Sequence, residues 1–287
     1  MLDQAESLRR LVRGEDKRTL DKKARIITVT SGKGGVGKSN FVVNLAISLS
    51  KKGNKVLIFD ADIGMGNDDV LMGILPKYSV LDLIRGRKSL EEVIVEGPEG
   101  IKLLPGGSGL NNIEDLQAHE RNIFLNKIEQ LEGFDFILID TGAGISRSVL
   151  AFIACSEELI LVTTPEPTSL TDGYSLIKAV DHFKIKTKAS IIVNKVLDKE
   201  EGQQTFNKFR AAVERFLNIR VSYLGCIYED RKLLMAVREQ VPFMISYPKS
   251  DASNCILKIT NIILEHYEES IGVGAKGLFR KLFDIFS

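Results

Sequence analysis

The stretch IITVTSGKGGVGKS, residues 26–39, decides the fold. Four β-prone residues, Ile26 to Val29, run into a glycine-rich turn. Lys38-Ser39 then opens an apolar helical pattern carried by Phe41, Val42, Leu45, Ala46 and Leu49. The order is strand, loop, helix. Gly32, Gly34, Gly35 and Gly37 let the backbone turn tightly, so that the N–H groups of this segment, Val36 included, point at one anion beside the positive end of the helix. Lys38 adds a point charge for β- and γ-phosphates, and the Ser39 hydroxyl is placed to ligate Mg2+. Gly32 to Ser39 completes the pattern G-x-x-x-x-G-K-[ST], with the strand before it and the helix after it that the chemistry requires. A nucleotide with Mg2+ is the expected cargo.

Composition narrows the rest. A chain of 287 residues that is 44% hydrophobic suits one large α/β domain, and strand and helix signals alternate without a break in composition. Lysine and arginine number 39 against 38 acids, so no bulk charge draws the chain to nucleic acid. Cys155, Cys226 and Cys255 lie far apart with no C-x-x-C, which argues for a reducing compartment and against a disulfide framework or a metal cluster. The charged N-terminus has no apolar leader core and no apolar run reaches spanning length, so the expected location is cytoplasmic.

Lys33 is the unusual residue of the loop. K-G-G-V-G-K-S resembles the deviant Walker A motif of the MinD/ParA family of dimeric ATPases. The resemblance implies that Lys33 lies along the phosphates and, in a sandwich homodimer, reaches the partner's nucleotide. It also implies a mostly parallel, twisted sheet with helices on both faces. From position alone, Lys33 is one more cation near an anion site.

The second β-run, KVLIFD (55–60), delivers Asp60 and Asp62 at its carboxyl end, where open α/β sheets bind ligands. Two acids there either solvate the loop or serve the metal. D-A-D-I-G-M-G-N is similar to the family's switch I, which implies that Asp60 supports the magnesium shell and that Asp62 positions the attacking water. Asn67 would approach the nucleotide or the dimer seam. FDFILIDTGAGIS (134–146) is a buried-type strand ending on Asp140, the Walker B pattern, and Asp140 would hold a metal-bound water. Many MinD relatives carry proline where this chain has Gly142.

Residues 79–131 hold two short amphipathic stretches, a β-like IKLLPGG (101–107) and a longer helix ending near Leu131. ELILVTTPEP (158–167) and ASIIVNK (189–195) read as further strands. By resemblance Asn194 reads adenine, whereas an asparagine at a strand end is otherwise a common turn former. Glu166 and Asp172 fall where MinD-type dimers contact nucleotide and signature lysine across the seam. VSYLGCIYEDRKLLMAVREQVPF (221–243) gives a last strand and helix, with Pro242 as a stop.

The two ends stand outside the block 26–270. Leu2, Ala5, Leu8 and Val12 have helical spacing in residues 1–12, and a charged linker, 13–25, follows. This helix either packs on its own domain or binds a partner. D-Q-A-x-x-L-R, with Asp3, Gln4, Leu8 and Arg9, resembles the activating motif of the FlhG family of MinD-type ATPases, which implies docking on the GTPase FlhF and stimulation of its hydrolysis.

At the other end, residues 271–287 combine glycines at 272, 274 and 277 with a stripe of Leu278, Phe279, Leu282, Phe283, Ile285 and Phe286. At ~100° per residue these occupy an arc of roughly 160°, with Lys276, Arg280, Lys281 and Asp284 opposite. Such a helix either docks in a groove of its own domain or lies on an anionic membrane surface. The family resemblance implies membrane targeting, reversible at the inner face of the cell membrane.

Together the resemblances imply a slow, dimerisation-coupled ATPase switch, binding ATP or ADP, that controls the number or position of flagella. It would work with the FlhF-type GTPase and the flagellar switch (C-ring) proteins. Lys33, Lys38 and Asp62 would serve catalysis, and Ser39, Asp60 and Asp140 the metal. Two rivals share the fold. One is a MinD-type division-site regulator; the other is a ParA-type DNA-partitioning ATPase, against which the charge balance and the apolar tail speak.

Overall fold

The computed structural model describes residues 24–62, 66–107, 126–127, 133–265 and 277–278. The motif at Asp3, Gln4, Leu8 and Arg9, residues 13–23 of the linker, the helix expected to end near Leu131, and Phe279, Leu282, Phe283 and Phe286 lie outside them.

Strand β1 (Arg25–Ser31) is buried along its whole length. Ile27 and Val29 belong to one core cluster and Ile26 to another, as a strand covered by helices on both faces requires. Arg25, read from sequence as the last linker residue, is the first residue of this strand. Its guanidinium is paired with Glu158 and donates from Nη1 to the Ile263 carbonyl at 2.7 Å, so the charge is satisfied inside the fold.

Seven further strands join it: β2 (Val56–Ala61), β3 (Val95–Glu96), β4 (Lys102–Pro105), β5 (Phe136–Ala143), β6 (Glu158–Thr163), β7 (Lys188–Val196) and β8 (Arg220–Tyr228). Among the described residues they form one sheet in the order β3-β4-β2-β5-β1-β6-β7-β8. Every pairing is parallel except β3 with β4, which closes one edge antiparallel.

Helices α1 (Lys38–Lys51), α2 (Asp68–Met72), α3 (Val80–Ile84), α4 (Leu90–Val93), α5 (Arg147–Cys155), α6 (Pro167–His182), α7 (Lys199–Phe216), α8 (Arg231–Glu239), α9 (Phe243–Ser246) and α10 (Asp251–Glu265) alternate with the strands. α1, α9 and α10 fill one face of the sheet, with Phe41, Leu45, Phe243 and Ile256 against Ile27, Val29, Leu138 and Ile160. The opposite face is covered by α3, α4 and α5 on one side and by α6 and α7 on the other. Both faces are therefore dry, and polar chemistry is left to the strand ends.

Leu278 is fully buried in the second of these clusters with Ile26, Leu57, Phe59 and Phe152. Of the two readings of the tail, docked in its own domain or lying on a membrane, Leu278 is here in the docked one. Burying this leucine among apolar side chains removes it from water as a bilayer would.

The topology fixes where a ligand goes. From β1 the chain turns to β2 and β4 on one side, returns to β5 beside β1, and only then crosses to β6, β7 and β8 on the other. The order thus reverses at β1, and the crevice beyond its carboxyl end is the site such sheets offer. Residues 32–37 lie there.

Candidate nucleotide-binding site

The loop between β1 and α1 is built by close approach. A Cβ on Gly32 would stand 2.2 Å from the Asp172 carbonyl carbon and 2.3 Å from the Gly173 nitrogen, so only glycine lets the loop lie against α6. Gly37, at the N-terminus of α1, is in the left-handed region with φ of 92°. A Cβ there would meet the Asn194 side-chain nitrogen at 2.3 Å. That nitrogen donates to the Val36 carbonyl at 2.7 Å, while the Asn194 side-chain oxygen accepts from the Lys195 N–H at 2.9 Å.

Asn194, expected to read adenine, is thus buried and braces the phosphate loop from β7. Lys195, itself left-handed with φ of 57°, completes the brace by donating from Nζ to the Gly35 carbonyl at 2.8 Å. Sequence reasoning passed over Lys195, since a lysine after a strand-end asparagine has no pattern of its own. Glycines 34 and 35 have open space beside them, as a cradle for an anion needs.

Behind the loop lies a buried charge cluster. Lys38 Nζ donates to Asp140 Oδ1 at 2.7 Å, and the two side chains are 7% and 1% exposed. Burial alone lowers the lysine's pKa, but the Asp140 carboxylate and its hydrogen bond, with Asp68 and Asp62 further off, outweigh it and raise the pKa. For Asp140 the balance is reversed. Burial pushes its carboxyl up against the pull of Lys38 and of the Ser39 hydroxyl, which bonds to it.

Asp60, at the end of β2 and in register with Asp140 across the β2–β5 pair, is pushed up to about 7 by burial first and by Asp140 next. Its Oδ1 accepts from the Asp62 N–H at 3.1 Å. Asp62 is half-buried, and a Cβ on Gly142 would come 3.1 Å from its Oδ1. The absence of a larger residue at 142 therefore leaves that carboxylate its room.

Asp68, the first residue of α2, was missed in the sequence. It is completely buried, and its carboxyl is raised well above the usual range by burial, then by Asp140 and Asp60. Asp68 and Asp140 lie close enough to share a proton, but in ionised form neither oxygen of Asp68 has a hydrogen-bond donor. The sequence offered little signal, because an Asp68-Asp69 doublet looks like ordinary dipole complementation at a helix start.

At the rim the geometry differs. Lys33 is well exposed, and its Nζ donates at 2.9 Å to Glu166 Oε2 and at 2.9 Å to Thr168 Oγ1. The lysine holds the Glu166 carboxyl below its usual value. In the single chain, then, Lys33 is turned to its own α6 and does not lie along the loop. Glu166, expected to act across a seam, is its partner in cis. Asp172 sits half-buried on α6, its backbone backing Gly32, and Asn67 is exposed ahead of α2.

The site therefore brings together Gly32 to Ser39, Asp60, Asp62, Asp140 and Asn194, and sets Lys33 and Glu166 at its edge. Such a cradle with a buried lysine and carboxylates fits a nucleoside triphosphate and a divalent ion. Buried oxygens without donors are what a hydrated cation satisfies. Among the described residues no three acidic, histidine or cysteine groups converge to hold a metal alone.

Comparison with known proteins agrees with this geometry. A family model described as an AAA domain matches residues 24–193. Antiactivator FleN of Pseudomonas aeruginosa is 36% identical over 230 residues, covering 80% of this chain and 82% of its own length. The flagellum site-determining protein YlxH of Helicobacter pylori is 36% identical over 264 residues, 90% of this chain and 89% of its own. Septum site-determining protein MinD from Pyrococcus horikoshii, solved in complex with Mg-ADP, superposes with a TM-score of 0.66 at 26% identity, covering 86% of this chain and all of that one. The deviant phosphate loop, the sheet order and these similarities together show that the chain belongs to the MinD/ParA family of P-loop ATPases, with FleN and YlxH among its relatives.

Proposed function

We propose that this protein is an ATP-dependent, dimerising switch that sets the number or position of flagella. The observation that carries the reading is the 36% identity to YlxH along 90% of the chain, with the complete nucleotide loop in place. ATP or ADP occupies the cradle of Gly32 to Ser39, and Lys38 exchanges Asp140 for the phosphates. Ser39, Asp60 and Asp140 would hold Mg2+, the carboxylates through water; that the related MinD of Pyrococcus horikoshii was solved in complex with Mg-ADP supports a nucleotide and a metal here. Held there, Mg2+ would supply charge neutralisation for the phosphates.

Asp62 orients the water that attacks the γ-phosphate. Lys33 leaves Glu166 and Thr168 and completes the site of a second copy, which ties slow hydrolysis to dimerisation. Asn67 and Asp172 face that seam. The N-terminal motif at Asp3, Gln4, Leu8 and Arg9 engages an FlhF-type GTPase, and flagellar switch proteins read the dimer. In the ATP state Leu278 leaves its buried position, and the segment from Leu278 through Phe286 engages the inner membrane surface. No helix among the described residues is long and apolar enough to cross a membrane.

The test is genetic and direct. Cells carrying Lys33→Ala in place of the native gene should show a changed number or position of flagella by electron microscopy. Flagellation indistinguishable from that of the parent strain would overturn the proposed role. Purified protein should in addition stimulate the GTPase in a manner lost on removing residues 1–12.

A further inference from the structure

Asp68 has no part in the site as the family motifs describe it. It is fully buried, within the field of the Asp140 and Asp60 carboxylates, and in ionised form both of its oxygens lack a donor. Lys38 acts on it only through its field: the ammonium's hydrogen bond goes to Asp140 at 2.7 Å, and nucleotide binding would draw that ammonium to the phosphates. At that moment three adjoining carboxylates would lose their shared counter-charge. An apolar side chain would fill the same place without this electrostatic cost, so an acid here calls for a cation.

We propose that Asp68 is a further residue of the Mg2+ site, holding a metal-bound water beside Asp60 and Asp140, so that the protein's grip on the cation depends on it. The geometry favours contact through water over direct ligation. The described acids do not close on a metal by themselves, and Mg2+ parts with its waters reluctantly. Carboxylates that orient the bound waters then set the affinity. This rests on the reading of the cradle as a Mg2+-nucleotide site.

Mn2+ reports on the inference by electron paramagnetic resonance. Full-length wild type and Asp68→Asn are each saturated with ADP and titrated with Mn2+. Because asparagine keeps the shape of a protonated aspartate, a purely structural Asp68 predicts equal affinity. The inference predicts that Mn2+ binds the variant about 10-fold more weakly or worse.

Thermal melting gives the second readout, with Asp68→Leu as a second variant. In EDTA both variants should melt at or above the wild-type temperature, since they remove a buried carboxylate without a donor. Both should gain less than wild type from added Mg2+ and ADP. Equal Mn2+ affinity in wild type and Asp68→Asn would overturn the inference alone, as would variants that melt lower in EDTA yet gain as much from the metal. A wild type that takes up no Mn2+ with ADP would overturn the reading of the site itself.

Discussion

The two lysines of the phosphate loop, five residues apart, live in opposite surroundings. Lys38 is 7% exposed and bonded to an Asp140 that is 1% exposed, whereas Lys33 is 39% exposed and bonded to a Glu166 that is 59% exposed. The buried pair is one a protein cannot break cheaply, since removing either partner leaves a bare charge in a dry site. A pair at the rim competes with water at all times and contributes little to stability. The difference assigns the tasks. On the proposed function, Lys38 is held in place for a ligand that must bring its own charge to displace Asp140, and Lys33 is held lightly by a contact that a second copy's nucleotide would outbid.

Substitutions sharpen this contrast. Lys38→Ala should have the largest effect. It should abolish nucleotide binding and cost about 3 to 5 kcal/mol of stability in denaturant unfolding, as for any broken buried ion pair. A loss below about 1 kcal/mol would show that the Asp140 pair is not structural.

Lys33→Ala should leave the melting temperature unchanged and nucleotide binding largely intact, while turnover falls on the order of 10³-fold, the scale of a charge supplied across an interface. Unchanged turnover would remove the trans-acting lysine from the account.

The acid cluster gives a pH signature of intermediate size. The Asp60 carboxyl sits at about 7 in the fold, against about 3.9 in an unfolded chain. A carboxyl raised on folding brings no penalty below about pH 4, accumulates one as pH rises from there to about 7, and holds it constant above. Melting temperature in EDTA should therefore fall between pH 5 and 7.5, and Asp60→Asn should flatten that slope. Equal slopes in the two proteins would contradict the shift. Glu166→Ala, at the rim, should move the melting temperature by no more than about 2 °C.

The same contrast governed what could be read in the sequence. Strands buried on both faces write themselves as apolar runs, and acids ending such runs, Asp60 and Asp140, announce the strand ends where ligands bind. What escaped is made by contacts between distant residues. The Lys33–Glu166 bond spans 133 positions, and the Asn194 brace on Val36 spans 158. Neither leaves a local pattern. The edge strand β3 is two residues long and has no period to detect. Asp68 looks like a residue at a helix start until the fold buries it. The tail's stripe could not distinguish lipid from a protein groove, because both accept the same apolar face. Leu278 itself is buried in its own domain.

The measurement closest to the central claim is the molar mass of full-length Asp62→Ala by size-exclusion chromatography with light scattering, with Mg2+ and either ATP or ADP. Hydrolysis slowed in this way should trap an ATP-bound dimer that persists on the column, while the ADP form elutes as a monomer. A monomer with bound ATP at every concentration tried would contradict the account.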